Sequence, residues 1–414
     1  MTNIHGSSKR LNMKKVTSYI IFVLLLYLFL FDPPFYMFRG SLRFSNLLLI
    51  LAFIYNCFYR TFIQRFLLNY KREFFLFLLI LLFIILRCII DGELSYINKT
   101  LMSFLNIFMV LPFFFQFANK YGFGSEEQIV KSLMITCTVA TTISIICLIN
   151  PGFQSIVKFD IMQLSSEEYL YNNDYRGFGL ASYLTSNYGY ILGLVAGMGC
   201  FYFNKNRWFL FVIPFMIISG LINSRTSALI ATATVVVYLI SSRKFAHSIL
   251  VGFTAFLFLY YFDSLLRLLF VSDRTYEWIM SFEQQMSDVA ESGSVYASSV
   301  GSQIFGSMVI WPDTFEEWMS GRGYDIYERR FGVGRSDNGW IRQLNYGGLI
   351  YLTLFYTMII FLLKRMNSFN QRSFVLIFVA VFSIVNTKTM CYPGGTLFAL
   401  LMFFYFLKTN KTLR

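Results

Sequence analysis

Apolar residues along this chain gather into about twelve runs, and the polar connections between them alternate between short Lys/Arg-rich segments and longer acid-rich ones. The runs are Val16 to Phe31, Phe44 to Tyr59, Phe74 to Ile90, Leu101 to Ala118, Ile129 to Asn150, Phe178 to Phe203, Trp208 to Ile222, Thr226 to Ile240, Ser248 to Phe262, Gly339 to Leu363, Ser373 to Asn386 and Pro393 to Leu407. At 1.5 Å per residue most of them cross about 30 Å of hydrocarbon as helices, and the shorter ones need local thinning or snorkelling. The pattern predicts an all-α polytopic membrane protein, residues 1–414 forming a single integral membrane domain of about 12 transmembrane helices.

Charge gives the expected arrangement a direction. With the amino terminus in the cytoplasm, 20 of the 35 Lys and Arg residues fall on the inner side together with only Glu73, Glu126 and Glu127, so 19 of the 22 acids lie outside or at the outer rim. An excess of Lys and Arg in every short inner loop is the usual orientation signal, and it predicts both termini in the cytoplasm. The formal net charge of +13 therefore calls for no nucleic-acid partner. Composition points the same way: 56% hydrophobic and 14% charged residues are more apolar surface than a soluble globule can bury. Val16 to Phe31 ends at Asp32-Pro33-Pro34 with no small-residue cleavage pattern, so it is expected to be a retained first span. Five of the six cysteines lie within runs, only Cys391 approaches the outer face, and no CxxC pair occurs, which argues against disulfide or zinc chemistry.

One connection stands apart. Residues 263–338 form an outer insert between the ninth and tenth runs, far longer than joining two helices requires. Its first part, Arg274 to Glu291, spaces Tyr276, Ile279, Met280, Met286 and Val289 as an amphipathic helix lying on the membrane or on the bundle. Ser292 to Ser302 reads as a flexible turn, Gln303 to Met319 as an apolar-bearing stretch. The insert closes with Gly321-Arg322-Gly323-Tyr324 and Gly332-Val333-Gly334-Arg335-Ser336-Asp337-Asn338-Gly339, whose glycines allow tight turns near a ligand. Gly189, Gly193, Gly197 and Gly199 in the sixth run suit close helix packing, with the lining of a substrate groove as the alternative. The two halves of the chain show no sequence repeat, which weakens an inverted-repeat transporter.

Arginine dominates the outer charges. Arg225 sits in the polar pentad Asn223-Ser224-Arg225-Thr226-Ser227, pinched between two apolar runs, where a surface turn needs no cation. A guanidinium beside a helix start offers a planar donor fork to phosphate oxygens; the plain alternative is a snorkelling anchor. Arg176, Arg322, Arg329, Arg330, Arg335 and Arg342 join it on the same side, where lysine is limited to Lys99, Lys158 and Lys388. Solvated balance against the many acids is the competing account. Arg87 lies near the outer end of the third run, and an intramembrane charge is by default a functional suspect. Asp313, Glu316 and Glu317 read as a solvated face rather than a metal site, since no His or spaced carboxylate completes a ligand set.

Taken together, Ser-Arg between two central runs, Arg176 followed by Gly177 and Gly179, a large late loop ending in the Gly321 to Gly323 turn, and Asp337-Asn338 before a helix bearing Leu344 and Gly347-Gly348 resemble the O-antigen polymerase group, Wzy-type, of the O-antigen ligase/polymerase superfamily. The resemblance runs from about Arg176 to Gly348 and includes the overall topology. It implies a glycosyltransferase of the bacterial cytoplasmic (inner) membrane that joins oligosaccharide repeat units carried on undecaprenyl diphosphate, with lipid-linked donor and acceptor as partners, a chain-length regulator as a further partner, and no cofactor. One departure weakens a ligase: ligases of the superfamily carry a His in the polar pair where this chain has Asp337, and His5 and His247 are on the inner side. A sugar on a lipid diphosphate has a good leaving group, so the chemistry needs charge stabilisation on the diphosphate and a base for the attacking hydroxyl. Arg176, Arg225, Arg322, Arg329, Arg330 and Arg335 are the expected diphosphate ligands, and Asp337 the expected base, with a helix N-cap as its structural alternative. A transporter or flippase of lipid-linked oligosaccharide is the rival from another class; it needs polar or charged residues lining the middle of its spans, and among charges only Arg87 is embedded here.

Overall fold

The computed structural model describes residues 4–33, 43–91, 95–162, 180–181, 186–241, 264, 267, 273–327, 335–393 and 395–409. Among them the regular structure is helical, with no strand. Among the described residues five helices are long and apolar enough to cross a membrane: Met13–Phe31, Lys71–Ile90, Tyr96–Lys120, Glu126–Ile149 and Gly339–Ser368. The bent pair Phe44–Phe58 and Arg60–Asn69 makes a sixth if it counts as one span, and Phe209–Asn223, Arg225–Ser241 and Thr396–Thr409 are shorter apolar helices. Each falls on a run expected from the sequence except Arg60–Asn69, which is helical where a Lys/Arg-rich inner connection was expected. The expected span Ser248 to Phe262 lies outside the described residues, as do Arg176, Arg329 and Arg330.

The chain divides into two compact units. The first comprises residues 1–63, 109–275 and 410–414, and the second 64–108 and 276–409. In the first, Ser186–Gly199 packs on Phe209–Asn223, Arg225–Ser241 and Glu126–Ile149. Its glycines explain the fit: a Cβ at Gly189 would stand 2.9 Å from the Gly220 carbonyl oxygen and from Ser224 Cβ, and one at Gly193 would stand 3.1 Å from Ser227 Oγ. Of the two readings of this stripe, helix packing is the one observed. Ser125 caps Glu126–Ile149 by accepting from the Gln128 N–H, with Glu126 and Glu127 in the first turn where the helix dipole favours acids. After the Met13–Phe31 span the buried Asp32 accepts from the Ser45 N–H at 2.9 Å and from Ser45 Oγ at 3.1 Å, tying the chain to the start of the next helix.

In the second unit the helix Gly339–Ser368 packs against Lys71–Asp91, Arg372–Lys388, Gly395–Thr409 and the short helix Phe315–Ser320. Near its end, Arg365 donates at 2.5 Å to the fully buried Glu73, which also accepts from Tyr405, while the guanidinium lies 4.6 Å from the Tyr70 ring centroid. A carboxylate at that depth needs its counter-charge and a donor in place, and here both reach Oε1.

Nearer its start the same helix is broken. Gly348 has φ +62° and ψ −161°, which interrupts the helical ladder. The Asn345 and Tyr346 carbonyls thereby lose their intrahelical donors, and the backbone N–H groups of Arg322 and Gly323 take them up at 2.5 and 3.0 Å. Gly321 and Gly323, at φ +77° and +76°, provide the turn that presents those donors. Arg87 fixes it from the neighbouring span, donating to the Gly321 carbonyl at 3.1 Å. The Gly-x-Gly turn therefore serves backbone docking, where a ligand contact was expected.

The described residues of the insert hold more regular structure than their Ser/Gly composition suggests. Asp273–Ser292 is the expected helix, with Ile279 buried and Glu277 exposed. The stretch expected to be a flexible turn instead folds into a 3-10 turn at Val295–Ala297 and a short helix at Ser299–Ser302, capped by Ser294 and Ser298 side chains.

Gly348→Ala should destabilise the protein strongly, because its Cβ would lie 2.5 Å from the Met319 carbonyl group at a φ that disfavours L residues. Thermal unfolding in detergent should show a loss of at least about 1 to 3 kcal/mol. Gly306→Ala, with nothing within 4 Å, should stay within about 0.5 kcal/mol.

Candidate functional site

The N-terminal half of the broken helix carries the polar cluster of the second unit. Asn338 is its cap: Asn338 Oδ1 accepts from the Trp340 and Ile341 N–H groups at 3.0 and 3.3 Å. The cap role weighed for Asp337 therefore belongs to its neighbour. One turn on, Arg342 points into the insert and grips Asp325 with both arms of its fork, Nε to Oδ1 at 2.9 Å and a terminal nitrogen to Oδ2 at 2.5 Å. Both side chains are under a tenth exposed. A cation in the first turn opposes the helix dipole, so this bidentate, desolvated pairing is what makes it tolerable.

Around that buried pair lie groups that face solvent. Lys99 Nζ stands 4.0 Å from Asp325 Oδ2 and is 49% exposed, and Arg335 is 46% exposed. The Tyr327 ring collects both guanidiniums, Arg335 at 4.3 Å and Arg342 at 4.7 Å from its centroid. Asp337 Oδ1 is 3.4 Å from Arg335 Nε. The floor is aromatic: Tyr96 stacks on Tyr346 with centroids 3.6 Å apart and donates its hydroxyl to Met390 Sδ at 2.7 Å. Thr389 Oγ1 accepts from Arg342 at 3.5 Å. The cluster thus has a rigid buried core and an accessible rim of two cations and one carboxylate, an arrangement able to hold an anion beside a proton acceptor.

Arg322 has a different occupation. Its terminal nitrogen meets Asp313 at 2.8 Å, Glu317 at 3.2 Å and the Trp311 carbonyl at 3.2 Å, with the side chain 8% exposed. Burial lowers its pKa, but the hydrogen bonds to Asp313 and Tyr324 and the Glu317 charge outweigh that and raise it above the ordinary value. Two of the three acids expected to form a solvated face, Asp313 and Glu317, are its partners. Arg322 thereby drops out of the accessible cations and becomes the clasp that closes Trp311 to Glu317 onto the Gly-x-Gly turn.

Arg225 belongs to the first unit and opens the helix Arg225–Ser241 directly after the extended residue Ser224. A surface pentad was expected; Asn223, Ser224, Thr226 and Ser227 are buried and Arg225 is half-buried. A one-residue break lets Phe209–Asn223 and Arg225–Ser241 pack closely on the glycine stripe, and that packing draws the pentad inside. Arg176, Arg329 and Arg330 were expected at the site and lie outside the described residues.

Neither a comparison with models of protein families nor one with curated proteins finds a match to this sequence.

Sequence reasoning picked out Arg335 and Asp337 and missed the role of Asp325, Tyr327, Lys99 and Arg342. Asp325 sits in a Tyr-rich stretch without a motif, and Lys99 comes from a distant helix. The one usable signal was an arginine inside an apolar run, which demands a buried carboxylate somewhere.

Removing one partner of the buried pair, as in Asp325→Ala, should cost about 3 to 5 kcal/mol of stability, whereas Asp325→Leu combined with Arg342→Met should recover much of the loss. Thermal unfolding of the two variants in one detergent measures the difference. Asp337→Asn should leave stability within about 0.5 kcal/mol, since Asn338 supplies the cap.

Proposed function

We propose that this chain is a metal-independent glycosyltransferase that polymerises undecaprenyl-diphosphate-linked oligosaccharide repeat units into O-antigen or a related surface polysaccharide at the outer face of the bacterial inner membrane. In this reading about 12 helices span the membrane, both termini are cytoplasmic and the insert is extracytoplasmic. The observation that carries it is a cluster on a helical, strongly apolar protein: Lys99 beside the buried Asp325–Arg342 pair, Arg335 on the Tyr327 ring that Arg342 shares, and Asp337 beside Arg335. Support also comes from the resemblance of its motifs to the polymerase group. The Glu73–Arg365 pair fits the orientation, because both residues belong to the Lys/Arg-rich side.

The geometry suggests a division of labour. Arg335 and Lys99 hold the diphosphate oxygens of the donor, on which negative charge grows as the glycosyl C–O bond breaks. Asp337 takes the proton from the acceptor hydroxyl as that oxygen bonds to the sugar carbon, and undecaprenyl diphosphate leaves. Arg329 and Arg330 remain candidates for the same diphosphate, whereas Arg322 acts through the insert's structure. A preorganised donor of this kind is worth about 10² to 10³ in rate.

Cells carrying Arg335→Ala or Lys99→Ala should display single repeat units in place of long chains while the protein stays in the membrane at normal abundance. Asp337→Asn should be equally severe at unchanged stability. Normal chain-length ladders from all three variants would remove the proposal, and a block in surface display of even single units would favour the flippase.

A further inference from the structure

A second feature lies in the first unit, where Met13–Phe31 and Glu126–Ile149 begin and Tyr96–Lys120 ends. A cavity of about 250 Å³ opens there with Val16, Tyr19 and Phe123 as its apolar wall and Lys15, Gln128 and Lys131 as its polar rim. Tyr19 and Phe123 pack edge to face at 5.5 Å and shape it. The Lys15 ammonium hangs over Gly122, 3.8 Å from where a Cβ would stand.

The cations at this boundary divide into two kinds. Lys120 lies on the Tyr59 ring and bonds its hydroxyl, and Lys205 pairs with Glu127 at 2.8 Å. Glu126 is engaged by Tyr202. Lys15 and Lys131 have no carboxylate partner among the described residues, and both line this cavity. Two ammonium groups beside an apolar wall complement an anion that carries hydrocarbon.

The surroundings say where that hydrocarbon goes. Val16, Ile20 and Leu24 stand on successive turns of the first span at 58, 61 and 55% exposure, a continuous apolar track leading from the cavity along the helix. The cavity itself is smaller than the roughly 300 to 1,000 Å³ of whole-ligand pockets, as suits a headgroup whose tails lie outside. It lies where two helices long and apolar enough to cross a membrane begin and a third ends, which in a bilayer would be headgroup depth.

We infer that this cavity is a binding site for one anionic phospholipid, its phosphate held between Lys15 and Lys131 and one acyl chain laid along Val16, Ile20 and Leu24. A zwitterionic lipid would bring a further cation beside two ammonium groups that no described carboxylate engages. A soluble phosphate would gain nothing from the apolar wall and track. The site is independent of the glycosyl-transfer reading, requiring only that the first span sit in a bilayer.

The test is native mass spectrometry of the full chain in neutral detergent with phosphatidylglycerol or phosphatidylcholine added. The unmodified chain should retain phosphatidylglycerol preferentially. Lys15→Gln and Lys131→Gln should each weaken that retention about fivefold and together about thirtyfold, while Lys15→Arg with Lys131→Arg keeps it. Equal retention of the two lipids, an unaltered preference in the double Gln variant, or displacement of the lipid by millimolar glycerol phosphate would each overturn the proposal. Thermal unfolding in phosphatidylcholine should be the same for all variants, which separates lost binding from lost folding.

Discussion

Every backbone N–H and C=O withdrawn from water must find a partner, and at Gly348 the helix Gly339–Ser368 stops supplying its own. Much of the second unit follows from how that debt is met. The Asn345 and Tyr346 carbonyls accept from Arg322 and Gly323, so the end of the insert has to lie on the break in one register. Once it does, Arg87 can reach the Gly321 carbonyl, Asn345 Nδ2 can donate to the Ile310 carbonyl at 2.7 Å, and Asp325 falls beside Arg342. The ionic cluster is thus a consequence of backbone satisfaction two turns away.

The same helix carries two desolvated ion pairs, Asp325–Arg342 near its start and Glu73–Arg365 near its end. Each is bonded by more than its counter-charge: Thr389 and the Tyr327 ring at one, Tyr405 and the Tyr70 ring at the other. Such pairs contribute little net stability compared with apolar packing but penalise any arrangement that separates them. They therefore select the register of Gly339–Ser368 against Lys71–Asp91 and Gly395–Thr409 more than they strengthen it.

Arginine number was a good guide to the region and a poor guide to individual roles. Arg322, Arg335 and Arg342 look alike in the sequence, yet two are sealed by the insert's carboxylates and one is open. What separates them is the position of Asp313, Glu317 and Asp325, which depends on how the insert folds. Asp337 and Asn338 show the same limit at finer scale. Either side chain can cap a helix; the backbone direction entering Gly339 gave the task to Asn338 and left the Asp337 carboxylate beside Arg335. The serines of the insert misled in the other direction, because composition cannot say that Ser294 and Ser298 will spend their hydroxyls on caps.

What the sequence determined by itself is the part governed by local and additive physics. Hydrophobic length fixed the helices, the glycine stripe from Gly189 to Gly199 fixed a close contact, and the amphipathic spacing of Arg274 to Glu291 fixed a surface helix. Each depends on neighbours within a few turns, so it is legible in order along the chain. The tertiary structure alone decided which charges meet. A buried guanidinium must find a carboxylate wherever the fold can bring one, and residues as far apart as Lys99, Asp325 and Arg342 become neighbours only after the backbone at Gly348 has broken and been paired.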